Sequence, residues 1–404
     1  MRSPGLGWAA VLSVAACAAS PNYGAGSAGT SGGGTGGTGG GGGSYTPPTL
    51  KLAHANPIVS RGAQVFSMPA NGNRVVDGAY HNGGWSIPAA SLPAWVAIKL
   101  AAGPTRLLVS WDDGGTYNYR DPAGTTVYGL PADYHFDVSA DSTNGTDGTW
   151  TAAVDPASSN PVTVTGNAVR TRAHAIDFTG KVWIKMVITA APPNESGNGV
   201  QIGEIDVHDT SASAPGRPED TWFFMGDSIT AFAFDRRASN QPSFAAAINT
   251  ATNKTYFPAM INGGIGGEKS SDGLARLADM LSLNPDYHFI ALGYGTNDAA
   301  NSQVPPATFQ TNMQSMIDMV KAAGREPVIP HIPWATDGSH NSIPDYDAVI
   351  DTLTRTNQLQ VGPDLTTYFM MHTDQLMPDN LHPADAGQMA MNQLWADAMR
   401  VVYP

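Results

Sequence analysis

The sequence predicts two folded domains in series: an all-β sandwich or jelly roll over residues 47–208, then a parallel three-layer α/β domain over residues 221–404. Three observations predict this. Short β-branched or aromatic runs, bounded by Gly, Pro and Asx clusters, fill the first stretch. From Thr221 onward apolar runs alternate with segments of helical composition. Between them, residues 209–220 mix Thr, Ser, Ala, Pro, Gly and acids, the composition of a linker.

The elements follow in order. Arg2 gives a positive start, Leu6–Ala16 is apolar, and Val14-Ala15-Ala16 puts small residues before Cys17. That apolar run is far shorter than the roughly 20 residues that span a bilayer, so it reads as an export signal outside the fold. Val14-Ala15-Ala16-Cys17 resembles the lipobox of bacterial lipoproteins. The resemblance implies cleavage within residues 1–17, lipidation of Cys17, and membrane attachment through that lipid anchor alone. The expected location is the cell surface or periplasm, or the medium if the signal is an ordinary secretory one. Residues 18–46 are almost entirely Ala, Gly, Ser and Thr, too polar to offset the entropy of ordering, and are expected to form a disordered tether.

In the first domain, Trp95–Leu100, Arg106–Trp111, Tyr134–Val138, Val182–Ile188 and Ile202–Val207 read as strands. Asp112-Asp113-Gly114-Gly115 and Thr143–Gly148 read as turns. Val76-Asp77-Gly78 followed by Trp85, with Trp95–Leu100 and Gln201–His208, resembles the discoidin or galactose-binding-like β-sandwich family. The resemblance implies sugar-binding loops at one end and, in some members, a structural calcium near Asp77 and Glu204. Those carboxylates read equally as solvated loop residues. Trp85, Trp111 and Trp150 read either as a sugar-stacking platform or as core.

In the second domain, Trp222–Met225, Tyr256–Ile261, Tyr287–Leu292 and Pro327–Ile332 read as strands, and Leu274–Leu283 and Phe309–Ala323 as helices. Met391, Leu394, Trp395, Ala398 and Val402 share one helical face.

Composition limits the function. The net charge of −13, with 14% charged residues, describes a mildly acidic surface. Phosphate binding needs a basic face, so nucleic acid is excluded as a partner. Cys17 is the only cysteine, so no intramolecular disulfide forms.

Chemistry concentrates in the second domain. Ser228, in Gly226-Asp227-Ser228, follows a strand-like run, where open α/β sheets place their sites. A serine hydrolase needs a nucleophile, a base, an orienting group and oxyanion donors. Ser228 is the candidate nucleophile and His382 the candidate base. Asp379, three residues earlier, can reach the imidazole and fix its tautomer. The Ser228 N–H, the N–H of Gly267 and the side-chain amide of Asn297 are the candidate oxyanion donors. Gly267 and Asn297 both follow strand-like runs, which sends them to the same sheet edge as Ser228.

Gly-Asp-Ser228, Gly267, Gly-Thr-Asn297-Asp and Asp379-x-x-His382 together resemble the four blocks of the SGNH hydrolases, also called the GDSL family. The resemblance runs from Thr221 to the C-terminus. It implies a flavodoxin-like α/β/α fold and ester hydrolysis through an acyl-enzyme at Ser228, with no metal and no cofactor. The nucleophile sequence is not the Gly-x-Ser-x-Gly elbow of the α/β-hydrolases.

The family acts on many esters, and fold does not choose among them. Expected export argues against acyl-CoA substrates. The preceding β-domain and the lack of a long apolar lid favour a carbohydrate acetyl esterase acting on an O-acetylated polysaccharide. Trp334, after a strand-like run, is a candidate substrate-stacking residue or a packed aromatic. The alternatives are a short-chain lipolytic or aryl esterase, and a surface glycan-binding protein with minor hydrolase activity. Acyl transfer to a sugar would use the same residues.

Overall fold

The computed structural model describes residues 45–80, 84–112, 129–169, 172–192, 199–234 and 243–404. The chain divides into two units, Met1–Ser44 and Tyr45–Pro404. The lipobox with Cys17, and Asp113-Gly114-Gly115, lie outside the described residues.

The β-rich domain carries β1 (Gln64–Met68), β2 (Trp85–Ile87), β3 (Ala94–Lys99), β4 (Arg106–Asp112), β5 (Asp133–Ser139), β6 (Trp150–Ala152), β7 (Thr163–Val164), β8 (Ala173–Asp177), β9 (Trp183–Ala190), β10 (Val200–Ile202) and β11 (Glu204–Asp209). One antiparallel sheet has the order β1-β3-β9-β5-β6, with β7 also on β5. A three-stranded antiparallel sheet has the order β11-β4-β8, and β10 pairs with β2. Alternate residues from the larger sheets meet in one apolar cluster: Val96, Ile98, Phe136, Ile184 and Met186 from the first, Leu107, Val109, Ile176, Ile205 and Val207 from the second. This period-two burial is what sets the register.

The run expected as one strand at Ile202–Val207 is two. Gly203 separates β10, which pairs with β2, from β11, which pairs with β4. Trp85 is fully buried and Trp111 nearly so, so neither stacks a sugar. Trp111 Nε1 is spent on the Tyr134 hydroxyl at 3.3 Å. Trp150 is half-buried, with the Lys185 ammonium 3.5 Å from its ring centroid. Glu204 is buried and ion-paired with Arg61, while its second oxygen accepts the Gly78 N–H at 3.2 Å. Asp77 instead accepts the Ala79 N–H at 2.8 Å. A guanidinium therefore stands where calcium was a candidate.

The α/β domain carries β12 (Thr221–Gly226), α1 (Ser228–Phe234), α2 (Phe244–Ala251), β13 (Ala259–Gly264), α3 (Ser270–Leu283), β14 (Phe289–Gly293), α4 (Thr296–Ala299), α5 (Pro306–Ala322), β15 (Glu326–Ile329), α6 (Ile343–Thr356), β16 (Gln360–Val361), α7 (Leu365–Met371) and α8 (Asp385–Met399). All its strand pairs are parallel, in the order β13-β12-β14-β15-β16. Counted within the domain this is 2-1-3-4-5, the doubly wound order of flavodoxin-like sheets. Trp222 and Phe224 of β12 pack toward α1, α2 and α8. Phe223 and Met225 face the opposite layer, with α3, α5 and α6. Burial on both faces explains why β12 reads as a continuous apolar run rather than an alternation.

The two domains share contacts. Leu108 and Ala173, on the outer face of the three-stranded sheet, join the α3–α5–α6 cluster. Arg106 Nη2 donates to Asp286 Oδ1 at 2.7 Å, and both side chains are largely buried. The Ala173 N–H donates to Asn284 Oδ1 at 3.0 Å. The connector is pinned by Arg217, which donates to the carbonyls of Pro285 at 3.0 Å and Ala323 at 3.1 Å. Upstream of β1, Lys51 Nζ reaches the Tyr403 carbonyl at 2.7 Å and the Leu52 N–H reaches the Val402 carbonyl at 2.8 Å.

Candidate active site

The ends of three neighbouring strands, β13, β12 and β14, which straddle the switch point of the sheet, carry Gly267, Ser228 and Asn297, and the loop before α8 brings Asp379 and His382. Ser228 opens α1 directly after β12. The first N–H groups of a helix have no intrahelical acceptor, so the Ser228 N–H is left as a donor. Asp227, just before it, accepts the Ile229 N–H at 2.9 Å and tightens the turn. The far end of α1 is tied by side-chain amides: Asn262 Nδ2 to the Ala231 carbonyl at 3.0 Å, and Asn392 Nδ2 to that of Ala233 at 2.7 Å.

The Ser228 hydroxyl is 2.9 Å from His382 Nε2, and His382 Nδ1 is 2.7 Å from Asp379 Oδ2. The loop that carries His382 and Asp379 is self-braced. Asp379 Oδ1 accepts the N–H groups of Leu381 and His382, each at 3.0 Å. The Met377 N–H meets the His382 carbonyl at 2.7 Å. Partial burial works to raise the Asp379 pKa, but the bonds from His382 and the backbone outweigh it and hold the carboxyl below its ordinary value. The carboxylate therefore stays ionised where it faces the imidazole. Phe232, one turn after Ser228, sets its ring 5.1 Å from that of His382, edge to face.

The loops after β13 and β14 are stitched together. Gly267 is exposed, with φ +77°, a conformation that favours glycine. Asn297 Nδ2 donates to the Glu268 carbonyl at 2.8 Å, next to Gly267. The Asp298 carboxylate accepts the Ser270 N–H at 2.9 Å and its hydroxyl at 2.5 Å. Asp227 is fully buried, and desolvation pushes its pKa to about 7, helped by the charges of Asp298 and Glu268.

The structure thus joins Ser228, His382 and Asp379 in one relay and sets Asn297 against the Gly267 loop. Trp334 is half-buried and packs against both α/β clusters, so most of its ring serves the core. Its loop is held to the loop of Asp379 and His382 by the Thr336 N–H on the Asn380 carbonyl at 2.9 Å. Sequence reasoning missed Glu268, Arg276, Tyr294 and Phe232. Only Phe232 carried a local signal, its four-residue spacing from Ser228.

Among the described residues, no group of three or more His, Cys, Asp or Glu side chains is placed to hold a metal ion. No described helix is long and apolar enough to cross a membrane.

Residues 224–390 match the profile of the GDSL-like lipase/acylhydrolase family. An arylesterase of Vibrio mimicus is 31% identical over 131 residues, 32% of this chain and 64% of its own length. The chain therefore spans just under two thirds of that relative. The thioesterase 1/protease 1/lysophospholipase L1 of Escherichia coli K12 is 27% identical over 165 residues, 41% of this chain and 76% of its own. A solved acetylxylan esterase of Geobacillus stearothermophilus aligns with 45% of this chain and 94% of its own, at 18% identity and a TM-score of 0.37. The similarity to the GDSL-like lipase/acylhydrolase family thus falls within the α/β domain, over residues 224–390.

Proposed function

We propose that this protein is a serine esterase that cleaves carboxylic esters through an acyl-enzyme on Ser228, and that its substrate is the O-acetyl group of a polysaccharide. The continuous Ser228–His382–Asp379 hydrogen-bond chain carries the first half of this reading.

His382 Nε2 takes the hydroxyl proton as Ser228 Oγ attacks the ester carbonyl. Asp379 steadies the imidazolium that forms. The tetrahedral oxyanion is met by the N–H groups of Ser228 and Gly267 and the amide of Asn297. Collapse expels the alcohol, which takes the proton back from His382. Water then repeats the sequence on the acyl-enzyme and releases the acid.

An acetyl group is favoured by the Phe232 ring against His382, which walls one side of the relay. A polymeric sugar is favoured by the β-rich domain joined to the hydrolase domain and by the export signal ending at Cys17, which would place the enzyme outside the cytoplasm. The 31% identity to an arylesterase favours a second reading, in which small aryl or short-chain esters are cleaved.

The test is acetate release from acetylated xylan, mannan and pectin, beside p-nitrophenyl esters from acetate to octanoate, for the full chain and Ser228→Ala. Release from one polymer, absent in the variant and steeply lower for longer acyl chains, is the expected result. Cleavage of the short-chain p-nitrophenyl esters with no acetate released from any polymer would select the second reading. Turnover retained in Ser228→Ala would end both.

A further inference from the structure

Glu268, the residue after Gly267, is gripped at both ends. Its backbone carbonyl accepts the Asn297 amide at 2.8 Å. Its carboxylate Oε2 accepts Arg276 Nε at 2.9 Å, Arg276 Nη2 at 2.7 Å and the Tyr294 hydroxyl at 3.2 Å. Arg276 Nη2 also reaches the Gly263 carbonyl at 2.7 Å, at the end of β13, and the Tyr294 hydroxyl at 3.0 Å. Burial lifts the Tyr294 pKa well above that of a free phenol, so the hydroxyl keeps its proton to donate. The Tyr294 ring lies on α3 at Gly273, where any Cβ would collide with the ring carbons and hydroxyl.

Two candidate oxyanion donors therefore depend on one residue. Gly267 is bonded to Glu268 through the chain. Asn297 is bonded to it through one amide hydrogen, which fixes the plane of the amide and leaves its second hydrogen free to point elsewhere. Neither donor moves without Glu268, and Glu268 does not move without breaking a largely buried ion pair. Fixed donors avoid reorganisation when charge develops, and that is where their catalytic value lies.

We propose that Glu268, clamped by Arg276 and Tyr294, is a positioning residue that sets Gly267 and Asn297 at their working separation. This rests on the esterase reading of the site. The clamp touches no reacting atom, so its loss should appear in kcat and not in KM.

The experiment measures p-nitrophenyl acetate hydrolysis by the full chain for Arg276→Met, Tyr294→Phe and Asn297→Ala, and for each of the first two combined with the third. Arg276→Met is expected to lower kcat about tenfold or more, with KM within about twofold and both limbs of the pH profile unmoved. Tyr294→Phe keeps the ring and deletes one donor. It is expected to lower kcat several-fold, and it carries the comparison alone if Arg276→Met does not fold. Each double variant should lose clearly less than the product of its two single losses, because residues that act as a unit are not additive. Multiplicative losses, an unchanged kcat, or an effect on KM alone would overturn the proposal. If Ser228→Ala keeps its turnover, the esterase reading fails first. If turnover needs Ser228 and the losses still multiply, the positioning role alone fails.

Discussion

Asp379 holds His382 twice, through the ring at 2.7 Å and through the backbone N–H at 3.0 Å. The two bonds use different carboxylate oxygens, so one side chain fixes both the position of the residue and the tautomer of its imidazole. Asp379→Asn keeps an acceptor for the backbone and replaces the anion that faces Nδ1. We expect kcat to fall by about 1000- to 10,000-fold with little change in thermal stability, because the side chain is half-exposed. Steady-state kinetics beside a melting curve checks both parts.

Asn297→Ala deletes a candidate oxyanion donor and also frees the Glu268 carbonyl. A loss of roughly 100- to 1000-fold in kcat is expected from the donor alone. A loss below about tenfold in kcat for p-nitrophenyl acetate would remove Asn297 from the site.

Asp220 gives a pH dependence remote from the chemistry. It is buried at the base of β12, where desolvation pushes its pKa to about 7 against the pull of the Tyr403 hydroxyl at 2.7 Å. The unfolded chain releases this proton near the ordinary carboxylate pKa of about 4. Between about pH 4 and 7 the folded state therefore binds more protons, and stability falls as pH rises, by at most about 1.4 kcal/mol per pH unit from this group. Asp220→Asn should flatten that slope in denaturation curves taken across the window. An unchanged slope would show that the carboxyl is ionised in the fold.

The Arg106–Asp286 pair joins the domains across 180 residues of chain. Arg106→Leu leaves a buried carboxylate without its partner and should cost about 3–5 kcal/mol. Leu at both positions should recover much of that loss. Denaturant unfolding monitored by tryptophan fluorescence measures each variant, and equal stability of the single variant and the wild type would refute the coupling.

What the sequence disclosed was what depends on local order. The blocks around Ser228, Gly267 and Asn297 were legible because each closely follows a strand, and strand ends converge by topology; the His382 block, in the loop before α8, was legible from its three-residue spacing to Asp379. Strand β13 was placed too early, at Tyr256, because an aromatic run before a Gly-rich turn looks like a strand whichever part of it pairs. Trp85 and Trp111 could not be sorted into core or platform, since a tryptophan in a small sheet has the same neighbours in sequence either way. The Glu268–Arg276–Tyr294 clamp was invisible for a different reason. It forms between a loop, a helix and a second loop, so no spacing in the chain encodes it.

The outer face of the three-stranded sheet bears on modularity. Leu108 and Ala173 complete a core that belongs to α3, α5 and α6, and Arg217 rivets the connector to the same end of the α/β domain. The β-rich part is thus a wall of the α/β domain and not a cassette. Cutting the gene at the connector would leave the α/β domain with an open seam. Grafting the β-rich part onto another protein would move a half-finished surface with it. Swaps that keep both sides of that seam together are the ones this architecture permits.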